Sequence, residues 1–107
     1  MPELPEVETT RRGIEPHVIG RAVRGLILRR ADLRWPFPQA LQNLVGERIT
    51  VAERRAKYLL LHSRPGAALL HLGMSGSLRI VDAGLPPRLH DHVDIVLDDG
   101  RALRFND

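Results

Sequence analysis

The chain begins with the sequence MPELPE, which places carboxylates beside a possible amine nucleophile. Removal of Met1 ahead of the small residue Pro2 would leave a secondary amine at the N-terminus. An α-amino group has a pKa of about 7.7 to 8.0, so part of it is neutral and nucleophilic at neutral pH. Such an amine forms Schiff bases with carbonyl-like carbons, including C1′ of a sugar, and Glu3 or Glu6 can exchange protons with the reacting sugar. In the structural alternative, the prolines only stiffen the entry to a helix.

A single lysine, Lys57, stands among fifteen arginines, in the segment RRAKY. Strand alternation places Arg55 and Lys57 on one face, and three cations beside Tyr58 are typical of an edge that binds phosphate. Lysine is a compact cation with a tunable pKa, a property that arginine lacks. The alternative is a solvated strand edge on which charge prevents aggregation.

Met74 lies between two glycines in the segment HLGMSGS at residues 71–77. If this segment is a turn from which Met74 protrudes, the apolar side chain can insert into a stack of DNA bases. In the alternative, the segment is a hairpin turn whose methionine fills a gap in the core.

The segment HDHVD at residues 90–94 contains possible metal ligands. On a strand, His90, His92 and Asp94 would share one face, and two histidines with a carboxylate form a known ligand set. Because the segment follows a proline-rich loop, a hydrogen bond from a histidine to a phosphate oxygen is favoured over a metal site.

The rest of the sequence predicts a mainly β domain that positions these residues. A short helix is expected over residues 5–12, ended by Gly13 and Pro16, with Leu4, Val7 and Ile14 facing inward. A second short helix is expected over residues 38–45, a turn at residues 64–66 and a hairpin at residues 98–100. Short segments rich in branched residues predict seven strands, at residues 21–30, 48–54, 58–62, 67–72, 77–81, 93–97 and 101–105. The expected fold class is α+β, with a two-sheet antiparallel β-sandwich and an N-terminal helix that carries the nucleophile.

Length and composition restrict the class of protein. A chain of 107 residues is one domain, and its net charge of +3 permits a polyanionic partner. The absence of cysteine excludes disulfides and cysteine-based metal sites within the chain. No apolar run approaches the length of a membrane span, and the N-terminus lacks the basic and apolar regions of a signal peptide. A cytoplasmic protein is therefore expected.

Four segments together resemble the formamidopyrimidine-DNA glycosylase family: PELPEVET at residues 2–9, RRAKYLL at 54–60, HLGMSG at 71–76 and FND at 105–107. They occur in the order found in that family. Leu4 is typical of the oxidised-purine branch, whereas the endonuclease VIII branch opens with Pro-Glu-Gly-Pro-Glu. The resemblance implies a bacterial base-excision repair enzyme that removes 8-oxoguanine and formamidopyrimidines from double-stranded DNA and then cleaves the strand by β,δ-elimination. It also implies a monomer.

The resemblance further assigns roles to individual residues. It makes Pro2 the Schiff-base nucleophile at C1′, Glu3 its acid/base partner and Glu6 a supporting carboxylate of the same pocket. Lys57 matches a lysine with a role in elimination and phosphate contact. The expected DNA-binding residues are Met74, which fills the gap left by the flipped nucleotide, His90, His71, Tyr58 and Arg55.

Members of this family continue beyond the position of Asp107 into a helix–two-turn–helix domain and a zinc finger. The resemblance therefore implies that residues 1–107 are the N-terminal catalytic domain, that zinc belongs to the absent finger, and that this chain itself has no cofactor. Other interpretations stay open. The chain is alternatively a DNA-binding fragment without turnover, a non-catalytic interaction domain if Met1 is retained, or an endonuclease VIII-like glycosylase for oxidised pyrimidines.

Overall fold

A computed structural model describes residues 4–30, 41–56, 58–71 and 76–107, without the side chains of Leu4, Leu69 and His71. One helix, α1 (Leu4–Val18), precedes seven strands. The strands are β1 (Val23–Leu28), β2 (Val51–Arg55), β3 (Tyr58–Ser63), β4 (Gly66–His71), β5 (Ser77–Asp82), β6 (Asp91–Leu97) and β7 (Arg101–Asn106).

The strands form two sheets. One has four strands in the order β1-β6-β7-β5, and the other has three in the order β2-β3-β4. All five strand pairings are antiparallel. The prediction of a mainly β fold with two antiparallel sheets and an N-terminal helix is confirmed.

A single hydrophobic core joins the two sheets and the helix. Leu59 and Leu61 from the three-stranded sheet belong to the same buried cluster as Ile95 and Leu103 from the four-stranded sheet. Complete burial of one such side chain contributes about 1.5–3 kcal/mol. Helix α1 adds Val7, Ile14 and Val18, which are 0–3% exposed, and it packs against β2, β3 and β5. The inward positions predicted for Val7 and Ile14 are confirmed.

The predicted end of α1 is wrong, because the helix passes through both Gly13 and Pro16 to Val18. Gly13 costs about 0.5–1 kcal/mol relative to alanine in a helix, and Pro16 removes one backbone hydrogen bond near the helix end. Continuing for almost two more turns buries both Ile14 and Val18, at about 1.5–3 kcal/mol each, which outweighs these losses. The glycine that follows the helix is Gly20, with a left-handed φ of 81°.

The strand predictions are confirmed with shifted ends. The largest shifts are in β1 and β2, where Ala22 and Arg48, in the outer parts of the two predicted segments, are joined only by an isolated bridge. The predicted hairpin at residues 98–100 joins β6 to β7, with Gly100 at a φ of 84°. Of the predicted helix at 38–45, residues 41 and 42 are helical and 43 and 44 form a turn, while 38–40 lie outside the described residues. Within the described parts of the chain, no helix has the length and apolar character needed to span a membrane.

Candidate functional site

Three of the predicted DNA-binding residues share one rung of the three-stranded sheet. Arg55 pairs with Tyr58 across β2 and β3, and Tyr58 pairs with His71 across β3 and β4. The side chain of Arg55 is 69% exposed, and Tyr58 is 36% exposed. The two-residue connection at 56–57 joins β2 to β3 directly beyond this rung. We call this part of the domain the 56–57 end.

Helix α1 is tied to β2 by a cluster of charged side chains. Glu8 accepts hydrogen bonds from Arg11 at 2.8 and 2.9 Å, from Arg12 at 2.9 Å and from Arg54 at 3.3 Å. The Arg54 guanidinium also donates to the carbonyl of Ala56 at 3.0 Å. The Glu8 carboxylate therefore fixes the Arg54 side chain, which in turn binds the backbone of Ala56, the residue before Lys57.

The charge on Glu8 is stabilised by this cluster. Hydrogen bonds from Arg11, opposed by partial desolvation and reinforced by Arg12, lower the pKa of Glu8 from 4.5 to about 2. Glu8 is therefore ionised throughout the neutral range, and it serves as an acceptor rather than as a proton donor.

The contacts of α1 show that it runs antiparallel to β2. Glu8 contacts Arg54, and three residues later the Arg11 guanidinium lies 3.5 Å from the carbonyl of Ala52. A helix rises about 1.5 Å per residue and a strand about 3.3 Å, so the start of α1 and the 56–57 connection each lie about 6 Å beyond the Glu8–Arg54 contact. The N-terminal end of α1 therefore lies at the 56–57 end of the domain.

Two residues other than glycine have a positive φ in the described ranges: one is the predicted DNA-binding residue His90, and the other, Ala56, is next to the predicted site residue Lys57. Ala56 has a φ of 53° directly before Lys57, and His90 has a φ of 72°. Such conformations cost on the order of 1–3 kcal/mol each, and they cluster at binding and catalytic sites. They persist only where neighbouring residues hold the backbone in place.

A buried carboxylate at the first residue of β6 joins the preceding loop to β5 and β7. Asp91 is 3% exposed, and its two carboxylate oxygens accept bonds from Arg79 at 3.0 and 2.8 Å. The backbone N–H of Arg88 and the amide of Asn106 donate to the same carboxylate at 2.7 and 2.9 Å. Led by the bonds from Arg79, and against desolvation, these donors hold the pKa of Asp91 well below its ordinary value.

A second buried carboxylate lies three residues further along β6. Asp94 accepts bonds from Arg104 at 2.8 and 2.9 Å and from Arg29 at 3.0 and 2.9 Å. The side chains of Asp94 and Arg104 are both 0% exposed. Burial raises the pKa of Asp94, but the two arginines outweigh it and keep that pKa below its ordinary value. Sequence reasoning did not assign Asp91 or Arg104 to the site and mentioned Asp94 only as a metal ligand.

The alternative of a metal site at residues 90–94 is not supported. His90 precedes β6, and an irregularity in the strand register between Asp91 and Val93 disrupts the alternation on which the shared face depended. Asp94 is fully buried against arginines instead of facing a histidine. Among the residues described, no group of three or more His, Asp or Glu side chains is arranged to hold a metal ion. The rings of His90 and His92 make an edge-to-face contact, with centroids 5.9 Å apart.

The remaining predicted site residues divide into two groups. Glu6 is exposed on the first turn of α1, and His90 is exposed in the loop before β6. Pro2, Glu3, Lys57 and Met74 lie outside the described residues, so their predicted roles stay predictions. The described segments next to Glu3 and Lys57 nevertheless meet at the 56–57 end.

The fold is shared with solved structures of formamidopyrimidine-DNA glycosylases. The enzyme from Lactococcus lactis, non-covalently bound to DNA containing an AP site, matches with a TM-score of 0.81 and 30% identity over 99% of this chain and 41% of that chain. The MutM (Fpg) protein from Thermus thermophilus matches with a TM-score of 0.79 and 39% identity over 99% of this chain and 36% of that chain.

The chain belongs to the family described as the formamidopyrimidine-DNA glycosylase N-terminal domain, whose model matches residues 1–107. The formamidopyrimidine-DNA glycosylase of Stenotrophomonas maltophilia (strain R551-3) is 66% identical over 108 residues, which cover 100% of this chain and 40% of the relative. The chain thus spans about 40% of the length of this curated relative. The resemblance identified from the sequence motifs is confirmed.

Proposed function

We propose that residues 1–107 form the N-terminal catalytic domain of a bifunctional DNA glycosylase and AP lyase that removes oxidised purines in base-excision repair. The observation that carries the proposal is the meeting of the N-terminal end of α1 with the 56–57 connection. The Glu8–Arg54 contact ties the helix that follows Pro2 and Glu3 to the strand that leads to Lys57. Family membership supports the same reaction.

The proposed chemistry begins with the amine of Pro2, once Met1 is removed. The amine nitrogen forms a bond to C1′ of a flipped-out nucleotide as the glycosidic bond breaks and the damaged base leaves. Glu3 transfers a proton to the sugar as its ring opens, which gives the Schiff base. Successive β- and δ-elimination then expel the phosphates on the two sides of the sugar. Lys57 acts in elimination and contacts phosphate, and Glu6 supports the pocket.

The proposed DNA surface combines the rung Arg55–Tyr58–His71 with the exposed His90. Arginine, tyrosine and histidine side chains donate hydrogen bonds to phosphate oxygens, which fix the register of a protein on a duplex without reading its sequence. We assign to Met74 the filling of the gap left by the flipped nucleotide. The substrate is double-stranded DNA with an oxidised purine or an abasic site. We infer a cytoplasmic monomer, with the family's zinc held by segments that these 107 residues do not include.

The proposal is tested in a chimera in which this chain replaces the matching 108 residues of the Stenotrophomonas maltophilia relative. We expect the chimera to excise 8-oxoguanine and formamidopyrimidine from duplexes and to cleave the strand, while the 107-residue chain alone is much less active. The measurement is product formation on a panel of duplexes with one lesion each. Preference for oxidised pyrimidines would support the endonuclease VIII-like alternative. A folded chimera that binds the duplexes but excises no base would refute the proposal.

Replacing Lys57 by arginine is expected to keep DNA affinity and to reduce strand cleavage. Arginine preserves the positive charge, but it has neither a compact ammonium nor a tunable pKa. General acid–base contributions are typically about 10²–10⁴-fold, so cleavage of an abasic duplex is expected to slow by at least tenfold. The control is Arg55→Lys in the same chimera, which exchanges the same side chains two positions away and should leave the cleavage rate of bound DNA nearly unchanged. Equal cleavage by Lys57→Arg and the unchanged chimera would show that any cation suffices at this position.

A further inference from the structure

The loop between β5 and β6 is fastened to β7 along most of its length. The Arg104 guanidinium donates to the carbonyl of Leu85 at 2.9 Å, near the start of the loop. The Asn106 amide donates to the carbonyl of Leu89 at 3.2 Å, and the backbone N–H of Asp107 donates to the carbonyl of His90 at 3.0 Å. The loop therefore rests on the last residues of the chain, which bind its backbone and leave its side chains exposed.

Asn106 holds this arrangement together. Its amide nitrogen donates both to the Leu89 carbonyl and to the buried carboxylate of Asp91, at 2.9 Å. Leu89 and Asp91 are the two chain neighbours of His90. The Asn106 side chain thus bridges the residues on either side of His90, while Arg79 binds both oxygens of the Asp91 carboxylate.

The side chain of His90 is exposed although its backbone is fixed. Its φ of 72° is a conformation that most residues avoid, although histidine adopts it more readily than most. The ring also contacts that of His92, whose Nε2 lies 3.0 Å from the backbone oxygen of Asp107. A ring held in this way loses little conformational entropy when it binds a ligand.

We propose that Asn106 and Asp91 are positioning residues that hold the loop so that the His90 side chain is presented to a DNA phosphate. Neither residue contacts the phosphate. The Asn106 amide binds the Leu89 carbonyl and the Asp91 carboxylate, and that carboxylate also accepts the backbone N–H of Arg88. The residues on both sides of His90 are thereby fixed, and the ring is preorganised for a hydrogen bond to a phosphate oxygen. This inference rests on the proposed function, because it requires that His90 contacts DNA.

The test is a double-mutant cycle with Asn106→Ala and His90→Ala in the chimera, using a duplex that carries a stable abasic-site analogue. A hydrogen bond to a charged group corresponds to a change of roughly tenfold or more in affinity, so His90→Ala is expected to weaken binding by about that factor. Asn106→Ala is expected to weaken binding by a similar factor, and the double variant no further. A purely structural role for Asn106 would instead lower the affinity by the same factor whether or not His90 is present.

The matched control is Asp99→Ala, at the opposite end of the β6–β7 hairpin. The Asp99 carboxylate also accepts a hydrogen bond from a backbone N–H, that of Arg101, at 3.0 Å. We expect this variant to bind DNA as the unchanged chimera does. Asn106→Asp serves as the second loop variant, because it keeps the side-chain volume, removes the donor and faces the Asp91 carboxylate. We expect it to weaken binding at least as much as Asn106→Ala.

The outcomes separate the inference from the function on which it rests. If His90→Ala weakens binding and both Asn106 variants bind normally, the positioning role is wrong and the DNA contact of His90 stands. If Asn106→Ala and His90→Ala act additively, Asn106 works elsewhere and the inference is overturned. If His90→Ala has no effect on binding while the chimera still excises lesions, the inference fails and the proposed reaction stands.

Discussion

Replacing Asp94 by asparagine is expected to lower the free energy of unfolding by about 3–5 kcal/mol, the usual result of removing one partner from a buried ion pair. The Asp94 carboxylate accepts two bonds from Arg104 and two from Arg29, and both Asp94 and Arg104 are 0% exposed. Asparagine has nearly the same shape but carries no charge, so the buried Arg104 guanidinium would lose its hydrogen-bonded counter-charge, and the nearest carboxylate left to it would be that of Asp91, at 3.9 Å. Urea unfolding of the 107-residue chain, followed by circular dichroism, measures the change.

The matched control for this substitution is Glu15→Gln, which also exchanges a carboxylate for an amide. Glu15 pairs with Arg11 at 2.8 Å, but its side chain is 41% exposed. Exposed pairs typically contribute about 0.2–1 kcal/mol, so this variant should lie close to the unchanged chain. A loss from Asp94→Asn as small as that from Glu15→Gln would show that the Asp91 carboxylate and the carbonyls of Leu85 and Pro86 satisfy Arg104 without Asp94.

The same network predicts how stability responds to acid. Arg79 at Asp91, and Arg104 and Arg29 at Asp94, hold both carboxyl pKa values below the ordinary one, so the folded chain binds fewer protons than the unfolded chain in acid. The stabilisation from these two carboxylates is fully present above about pH 3.9, the pKa of an unfolded aspartate. Below that pH the free energy of unfolding falls by up to about 1.4 kcal/mol per pH unit for each group. Unfolding curves between about pH 6 and pH 3 measure this slope. Asp94→Asn should make it shallower, and an unchanged slope would contradict the assignment.

The strands were predictable because local pattern and tertiary structure agree in them. In β3, branched and apolar residues bounded by turn signals mark a buried strand, and the structure begins and ends it within one residue of the prediction. Helix α1 shows the opposite case. Gly13 and Pro16 are local signals for a helix end, but Ile14 and Val18 belong to the hydrophobic core, and their burial extends the helix. Local signals therefore failed where they conflicted with packing.

The buried ion pair was predictable in principle, whereas the loop that holds His90 was not. Once a hairpin is placed at residues 98–100, pairing Leu97 with Arg101 sets Asp94 opposite Arg104, which is the register that the structure shows. Opposite charges facing each other within two apolar runs are a readable signal. Near Asp91 the register shifts by one residue, so that Asp91 pairs with Asn106 instead of Asp107. No local pattern in the sequence reports this irregularity or the left-handed conformation of His90.

The largest effect expected of any substitution is the loss of covalent trapping when the N-terminal amine is displaced. With Met1 removed, the chain has two amines, the N-terminus and the single lysine Lys57. Sodium borohydride reduces the iminium formed between an amine and C1′ of an abasic site to a stable bond. We expect the trapped mass to map to the peptide that contains Pro2. Pro2→Gln favours retention of Met1, so that the N-terminal amine lies one residue further from Glu3 than the amine of Pro2 does. This variant should reduce trapping by on the order of a hundredfold or more, because the amine no longer lies at C1′ of the sugar.

Pro5→Gln provides the matched control, since it exchanges the same residue types three positions later, on the exposed first turn of α1. It keeps Pro2 as the first residue after Met1, so trapping should persist at nearly the unchanged rate. Intact mass spectrometry establishes which chains have lost Met1 before each reaction.

An adduct on the peptide that contains Lys57, in a chain whose N-terminus is free, would make the lysine the nucleophile. Trapping of Pro2→Gln at the unchanged rate, with Met1 retained, would show that the reaction does not require the proline amine. Because residues 1–107 carry no third amine once Met1 is removed, any adduct that maps within them lies on Pro2 or on Lys57.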